Sequence, residues 1–140
     1  MFPHSAAVFA AAFLLLLVSH YIGDYLIQTD HMAEHKADAG RDGWRANGQH
    51  VLGHLGAMLG LFAVADLALG LATPAWPTVA AIAWVAGTHG IIDRRRIIAW
   101  WMQHTGSGEF LKKGGAPLVD QAAHVAVGLF PAAVLIGAAA

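Results

Sequence analysis

Four stretches of the chain are long and apolar enough to cross a lipid bilayer, and this limits the possible folds more than any other feature. A spanning helix needs about 20 mostly apolar residues. The stretches run from about Ser5 to Gln28 (with the run AAVFAAAFLLLLV), Gln49 to Leu71, Ala75 to Asp93, and Pro117 to Ala140. None alternates with period two, which argues against a β-barrel. The composition agrees: the 140 residues are 57% hydrophobic and only 12% charged. Soluble domains carry about 25% charged residues, and a domain this small cannot bury so much apolar side chain. A soluble globule and a disordered chain are both disfavoured. The expectation is one all-α membrane domain, 1–140, with four transmembrane helices in an up-down bundle. The spans are about 5–28, 49–71, 75–93 and 117–140, joined by loops 29–48 and 94–116 and a short turn at 72–76. The opening MFPHS has no Lys or Arg, and no A-x-A site follows the apolar run before His20. The first stretch therefore reads as a retained span rather than a signal peptide.

The cations orient the spans. Lys36, Arg41 and Arg45 lie between the first two, and Arg94, Arg95, Arg96, Lys112 and Lys113 between the last two. These are all eight Lys and Arg of the chain. By the positive-inside rule both loops are cytoplasmic and both termini outside, in an inner (cytoplasmic) membrane. The lipid bilayer is the implied partner, with anionic headgroups at the basic loops; a homo-oligomer is compatible with this. A net charge of -1 gives no pull towards nucleic acid, and none is expected as a partner. The chain has no cysteine, which removes disulfides, thiol nucleophiles and iron–sulfur clusters.

Residues 29–48 read as a polar loop with a helical turn before Gly40. The stretch RRRIIAWWMQ mixes arginines, isoleucines and paired tryptophans, as suits a helix lying at the headgroup level, or an ordinary basic flank. Gly53, Gly56, Gly60, Gly87 and Gly90 would let helices approach closely. Pro131 should kink the last span.

The few polar residues inside the spans form a pattern. His20 and Asp24, His50 and His54, His89 and Asp93, and Asp120 and His124 give one i, i+4 pair per span. That spacing stacks two side chains on one helix face. Spans one and three carry their pair near the C-terminal end, and spans two and four near the N-terminal end. In alternating helices all four pairs then fall at the cytoplasmic end, within roughly 15 Å of the loops. Gln28, Gln49 and Gln121 border this layer and could orient carboxylates or a substrate. Two further pairs, His31/His35 and Asp38/Asp42, fall in the polar loop, where a solvated face is the plainer reading. His4 and His104 look incidental, and Asp66 sits near the opposite end of span two.

Ionisable groups inside spans are costly and normally face the bundle interior, paired. Imidazoles and carboxylates are the ligands of zinc, manganese and iron. The expected metal set is His20, Asp24, His50, His54, His89, Asp93, Asp120 and His124, enough for two ions, or for one ion with carboxylates that orient the histidines. A two-metal site would favour hydrolysis at phosphorus. Other readings stay open: a hydrogen-bond network locking the helices, a proton or ion path, or haem, which explains fewer of the groups.

The stretch SHYIGDYLIQTDHMAEHK at 19–36 resembles the opening signature of a family of small bacterial and phage membrane proteins, the domain of unknown function 3307. His20, Gly23, Asp24, Tyr25, Gln28, Thr29, Asp30, Met32, Ala33 and Lys36 carry that likeness. The block HGIIDRRR at 89–96 and VDQAAH at 119–124 continue it over nearly the whole chain. The resemblance implies the membrane topology and supports the chosen His and Asp positions; it implies no reaction. The pattern is also broadly similar to that of membrane-bound metal-dependent hydrolases.

The leading reading is an integral membrane metal-binding protein, a metal-dependent hydrolase of a phosphorylated or lipid substrate at the cytoplasmic leaflet. Asp24 or Asp120 would be the general base. Arg94, Arg95 and Arg96 would hold a phosphate group through bidentate guanidinium contacts. The alternatives are a non-catalytic metal or proton carrier, and a structural or regulatory protein with a His/Asp network. The residues alone do not decide whether the protein is an enzyme.

Overall fold

The computed structural model describes residues 2–140, with side-chain environments from residue 4 onward. Met1, on which the expectation of an outward-facing N-terminus falls, lies outside the described residues. Among the described residues there is no strand. The helices are α1 (Phe2–Ile22), α2 (Asp30–His35), α3 (Gly40–Leu69), α4 (Ala75–Ile92), α5 (Arg96–His104), α6 (Gly108–Lys112), α7 (Ala116–Ala123) and α8 (Phe130–Ala138). Two wider π-helical segments are inserted: Gly23–Ile27 extends α1, and His124–Leu129 joins α7 to α8. Four helical stretches are long and apolar enough to span a membrane: His4–Ile27, Gly40–Leu69, Ala75–Ile92 and Ala116–Ala138.

Each of these stretches buries a stripe with a four-residue repeat. In α1 it runs Val8, Ala12, Leu16, His20 and Asp24; in α3 Ala46, His50, His54, Met58 and Phe62. In α4 it runs Ala81, Val85, His89 and Asp93, and in the last stretch His124, Gly128, Ala132 and Ile136. At 3.6 residues per turn, side chains four apart drift by about 40° around a helix. A π turn winds more slowly and reverses that drift. The two π segments fall at Asp24 and at His124 and Gly128, where the polar residues of the first and last stretches meet the bundle interior.

The start of α1 lies against the end of α8, and its end against His124. Ser5 Oγ donates to the Ala140 carbonyl at 3.2 Å, and Phe9 meets Phe130 edge-on at 5.7 Å. The His20 and His124 rings are 5.0 Å apart. One half of the bundle is a dry core of Val8, Ala12, Leu16, Met58, Phe62, Val85, Leu129 and Ile136 with their neighbours. Outward positions such as Leu14, Leu59, Leu67, Trp76 and Val79 are exposed and apolar, the composition of a lipid-facing shell. Close approach occurs at Gly53, against the Ile27 side chain, and at Gly90, against Val51; Gly56, Gly60 and Gly87 face open space. Pro131 has no N–H for the carbonyl four residues back. That carbonyl, of Val127, accepts instead from Trp84 Nε1 at 2.8 Å.

The two connecting segments are more ordered than their composition suggests. Between the first two spans, Thr29 caps α2, accepting from the Met32 N–H at 3.3 Å. A short connection follows, and α3 begins at Gly40 rather than near Gln49. Its glycine-rich first turns are held from outside. The Arg94 guanidinium lies 4.5 Å over the Trp44 ring, and Asn47 Nδ2 donates to the Gly90 carbonyl at 2.8 Å. In the second connection Arg95 adopts a left-handed backbone (φ 60°), after which α5 buries Ile98 and Met102 against Ile92, Val119 and Ala123. The opposite face of α5 exposes Ile97, Trp100 and Trp101.

Candidate metal centre

Each of the four long helical stretches delivers its i, i+4 pair to the same end of the bundle, the end that carries α2, α5 and α6. His20, His50, His54, His89, His124, Asp24 and Asp93 are all at most 7% exposed, and Asp120 is half-buried. The eight positions chosen from the sequence form one connected cluster. The His54 and His89 ring centroids are 3.8 Å apart, and those of His89 and His124 4.2 Å.

Two carboxylates organise the cluster. Asp24 Oδ1 lies 3.2 Å from both His50 Nε2 and His54 Nε2, and 3.9 Å from His89 Nε2. Asp93 Oδ2 lies 3.2 Å from His50 Nε2 and 3.1 Å from His89 Nε2, while Asp93 Oδ1 is 3.9 Å from His124 Nε2. Gln121 bridges the first and last spans, its Nε2 donating to Asp24 Oδ2 and its Oε1 facing His20 Nε2, both at 2.9 Å. Asp120 pairs with its own-helix neighbour His124 Nδ1 at 3.4 Å.

Lys36, which sequence reasoning used only to orient the loops, enters the cluster. From the end of α2 its ammonium reaches Asp93 Oδ1 at 2.8 Å and His50 Nε2 at 3.1 Å, and the residue is 8% exposed. The signal available in the sequence was its place at the end of the HMAEHK stretch, twelve residues beyond Asp24; spacing alone gives no reason for it to fold inward. The loop is pinned over the layer by Arg94, whose guanidinium donates to the carbonyls of Lys36, at 2.7 Å, and Asp38.

Three overlapping groups offer ligand atoms within 4.8 Å of one another: His20, Asp24, His54 and His89; His50, His89 and Asp93; Asp93, Asp120 and His124. The contacts at His50 Nε2 say why a cation fits. It has Lys36 Nζ, His89 Nε2 and two carboxylate oxygens all within 3.2 Å. One imidazole nitrogen either donates or accepts. If it accepts from Lys36, its lone pair faces two carboxylates; if it donates to a carboxylate, it faces an ammonium donor to donor. Hydrogen bonding leaves this node frustrated, whereas a cation held by the imidazole and carboxylate lone pairs would satisfy them once the Lys36 ammonium moves off Nε2. Buried ring nitrogens His20 Nδ1, His50 Nδ1, His89 Nδ1 and His124 Nε2, and Asp120 Oδ1, have no hydrogen-bond partner. Such orphans are rare in proteins. Charge points the same way: with neutral imidazoles, three carboxylates against the Lys36 ammonium leave the cluster two negative charges, which one divalent ion would neutralise.

A cavity of about 360 Å³ reaches the layer from the loop end, with Gln28, Lys36, Asp93, Arg95, Ile98 and Asp120 in its wall. Asp120 borders the cavity; Asp24 sits deeper, among His50, His54 and Gln121. The three consecutive arginines part company. Arg94 is committed to the two carbonyls, Arg95 borders the cavity, and Arg96 lines a different surface pocket with Trp44 and Ile97. His31 and His35 stay outside the layer. Their rings are 4.8 Å apart, but His35 Nδ1 bonds Asp38 at 2.8 Å in an exposed pair. That carboxylate bond raises the His35 pKa above the ordinary value of 6.5. Gln49, His4, His104 and Asp66 are exposed and away from the cluster.

The family model described as "Protein of unknown function (DUF3307)" matches residues 12–136, and the chain belongs to that family. No curated protein and no solved structure matches the chain.

Proposed function

We propose that this DUF3307 member is an integral membrane metalloprotein whose buried His/Asp layer binds a divalent cation and hydrolyses a phosphorylated or lipid substrate at the cytoplasmic leaflet. The single observation that carries the metal reading is the frustrated node at His50 Nε2, set among unpartnered ring nitrogens and an unbalanced pair of negative charges. Zinc, manganese and iron all suit a mixed imidazole–carboxylate donor set. In this reading the four apolar stretches form an up-down bundle in the inner membrane, both termini outside. The ground is that all eight Lys and Arg lie at the loop end, beside the layer.

Two features support hydrolysis. The layer is reached through a cavity of a size that holds a small ligand. Asp120, at the cavity wall with an unpartnered oxygen, is well set to take a proton from an attacking water; Asp24, deeper and shared among three partners, is better set as a ligand. The ion would supply Lewis-acid polarisation and acidify water. A carrier reading is disfavoured by the dry core behind the layer, which leaves no polar route through the other half of the bundle.

Elemental analysis of detergent-purified protein is the first test, with His54→Ala and His124→Ala alongside. Stoichiometric metal in the wild type and its loss from the variants is expected; the same trace level in all three sinks the metal reading. A screen of phosphomonoesters and phosphodiesters with added manganese or zinc then tests catalysis. Bound metal without turnover would move the protein to the non-catalytic class.

A further inference from the structure

The cavity at the mouth of the layer has a charge pattern of its own. Its wall holds Lys36 and Arg95 together with Asp93 and Asp120. Two cations balance two carboxylates, so the cavity has no net attraction for an anion. With Asp24 behind them counted as well, a divalent ion held by the carboxylates would leave one net positive charge at the mouth of the layer, where without the ion there is one net negative charge, and so would turn repulsion of a phosphate anion into attraction. We propose that this cavity, between α2, α5 and α7, binds a phosphate group through Arg95 and Lys36, and does so only when the layer holds its divalent ion. The assignment rests on the metal reading above and names the chemistry of its ligand: a phosphomonoester, or phosphate itself.

Arg95 is singled out by two independent observations. Of the three consecutive arginines only this one borders the cavity, since Arg94 is bound to loop carbonyls and Arg96 faces another pocket. It also holds a left-handed backbone at φ 60°. That conformation suits Gly or Asn and is uncommon for a side chain as long as arginine. An arginine there is not explained by the turn. Its guanidinium makes one contact, Nη2 to the Ala33 carbonyl at 3.3 Å, out of five possible donors. A phosphate seated between Arg95 and Lys36 would take a forked contact from the first and a point charge from the second. Apart from Gln28, the remaining wall is apolar, with Ile98 and Pro117. This favours an ester with an apolar tail over a bare sugar phosphate.

The probe is inorganic phosphate, measured by equilibrium dialysis with the full chain in detergent, stripped by chelator or reloaded with manganese. Reloaded wild type should bind phosphate and stripped protein should not. Arg95→Asn, which also suits the left-handed turn, should weaken phosphate at least tenfold with metal content unchanged; Arg96→Asn should leave both unchanged. The assignment falls if reloaded protein does not bind phosphate, if stripped protein binds it equally well, or if Arg95→Asn binds like wild type. Protein without metal overturns the reading of the layer itself, whereas metal without phosphate overturns this assignment alone. Nanodiscs then identify the source. Displacement of phosphate by phosphatidic acid in a phosphatidylcholine background supports the site as a lipid-headgroup pocket. Displacement by a soluble phosphomonoester alone supports it as a pocket for aqueous esters, and displacement by neither overturns it.

Discussion

In the half of the bundle away from the loops, Leu16, Met58, Val85 and Ile136 fill the space between the helices. One turn further along the same faces, at the same four-residue spacing, His20, His54 and His89 take their places, and His124 stands on the fourth face three turns from Ile136. The apolar half needs nothing but shape, because every buried atom finds dispersion partners. The polar half has the same depth and crowding, but its donors and acceptors do not pair off, and one nitrogen faces both an ammonium and two carboxylates. The comparison teaches that one helix-packing geometry can carry either a passive plug or a site, depending on which residues occupy the inward stripe. It also explains why a site so rich in ionisable groups can exist at all. The apolar plug packs all four helical stretches against one another, so the polar layer does not have to hold the bundle together.

Substitutions can break this contrast at either end. The largest effect is expected for His89→Ala, because His89 belongs to two of the three ligand groups. Metal measured by elemental analysis should fall by more than about 100-fold while the helical circular dichroism stays intact. Next comes Leu16→Ala, in the plug and fully buried. It should destabilise the bundle by about 2 kcal/mol in detergent unfolding, the low end for a core Leu→Ala because lipid is itself apolar. Its metal content per folded molecule should be that of the wild type; a loss would show that the two halves are not independent.

A subtler perturbation is Gly23→Ala. A Cβ at this position would overlap the His54 ring, so the ring must move. Metal affinity should drop about tenfold, as for loss of an orienting contact, with thermal stability of the metal-free protein little changed. The smallest effect is expected for Asp38→Asn, outside the layer. The Asp38 contact raises the His35 pKa in the folded protein. Its contribution to stability is therefore present below the unfolded value near 6.5 and lost as pH rises through the raised folded value. The variant should return the His35 titration, read by NMR, towards that ordinary value, and leave metal binding unchanged. An altered metal content in Asp38→Asn would show that the loop and the layer are coupled.

Much of this was legible in the chain because it is periodic. Apolar length marks the four stretches, and an i, i+4 repeat marks a helix face wherever the helix goes, so the eight His and Asp of the layer could be chosen without coordinates. Gln121 was legible as a neighbour of the layer for the same reason, although its bridge between His20 and Asp24 was not. The connections were harder. Residues 40–48 look like a polar, glycine-rich loop, yet they are helical because Arg94 and Gly90, distant in sequence, hold Trp44 and Asn47. The π segments have no simple sequence signature; they satisfy a packing register that exists only once the helices meet.

By itself, then, the sequence determined which residues lie on the inward faces, since helical period and apolar length are local properties of the chain. The tertiary structure alone decided what those faces meet. It brought Lys36 down onto Asp93, turned Arg94 into a clamp on the loop, and left only Arg95 of the three arginines at the cavity. Long cationic side chains have several possible partners within reach, and burial against a particular carboxylate or carbonyl selects among them. That selection depends on how helices distant in sequence pack, and no local pattern records it.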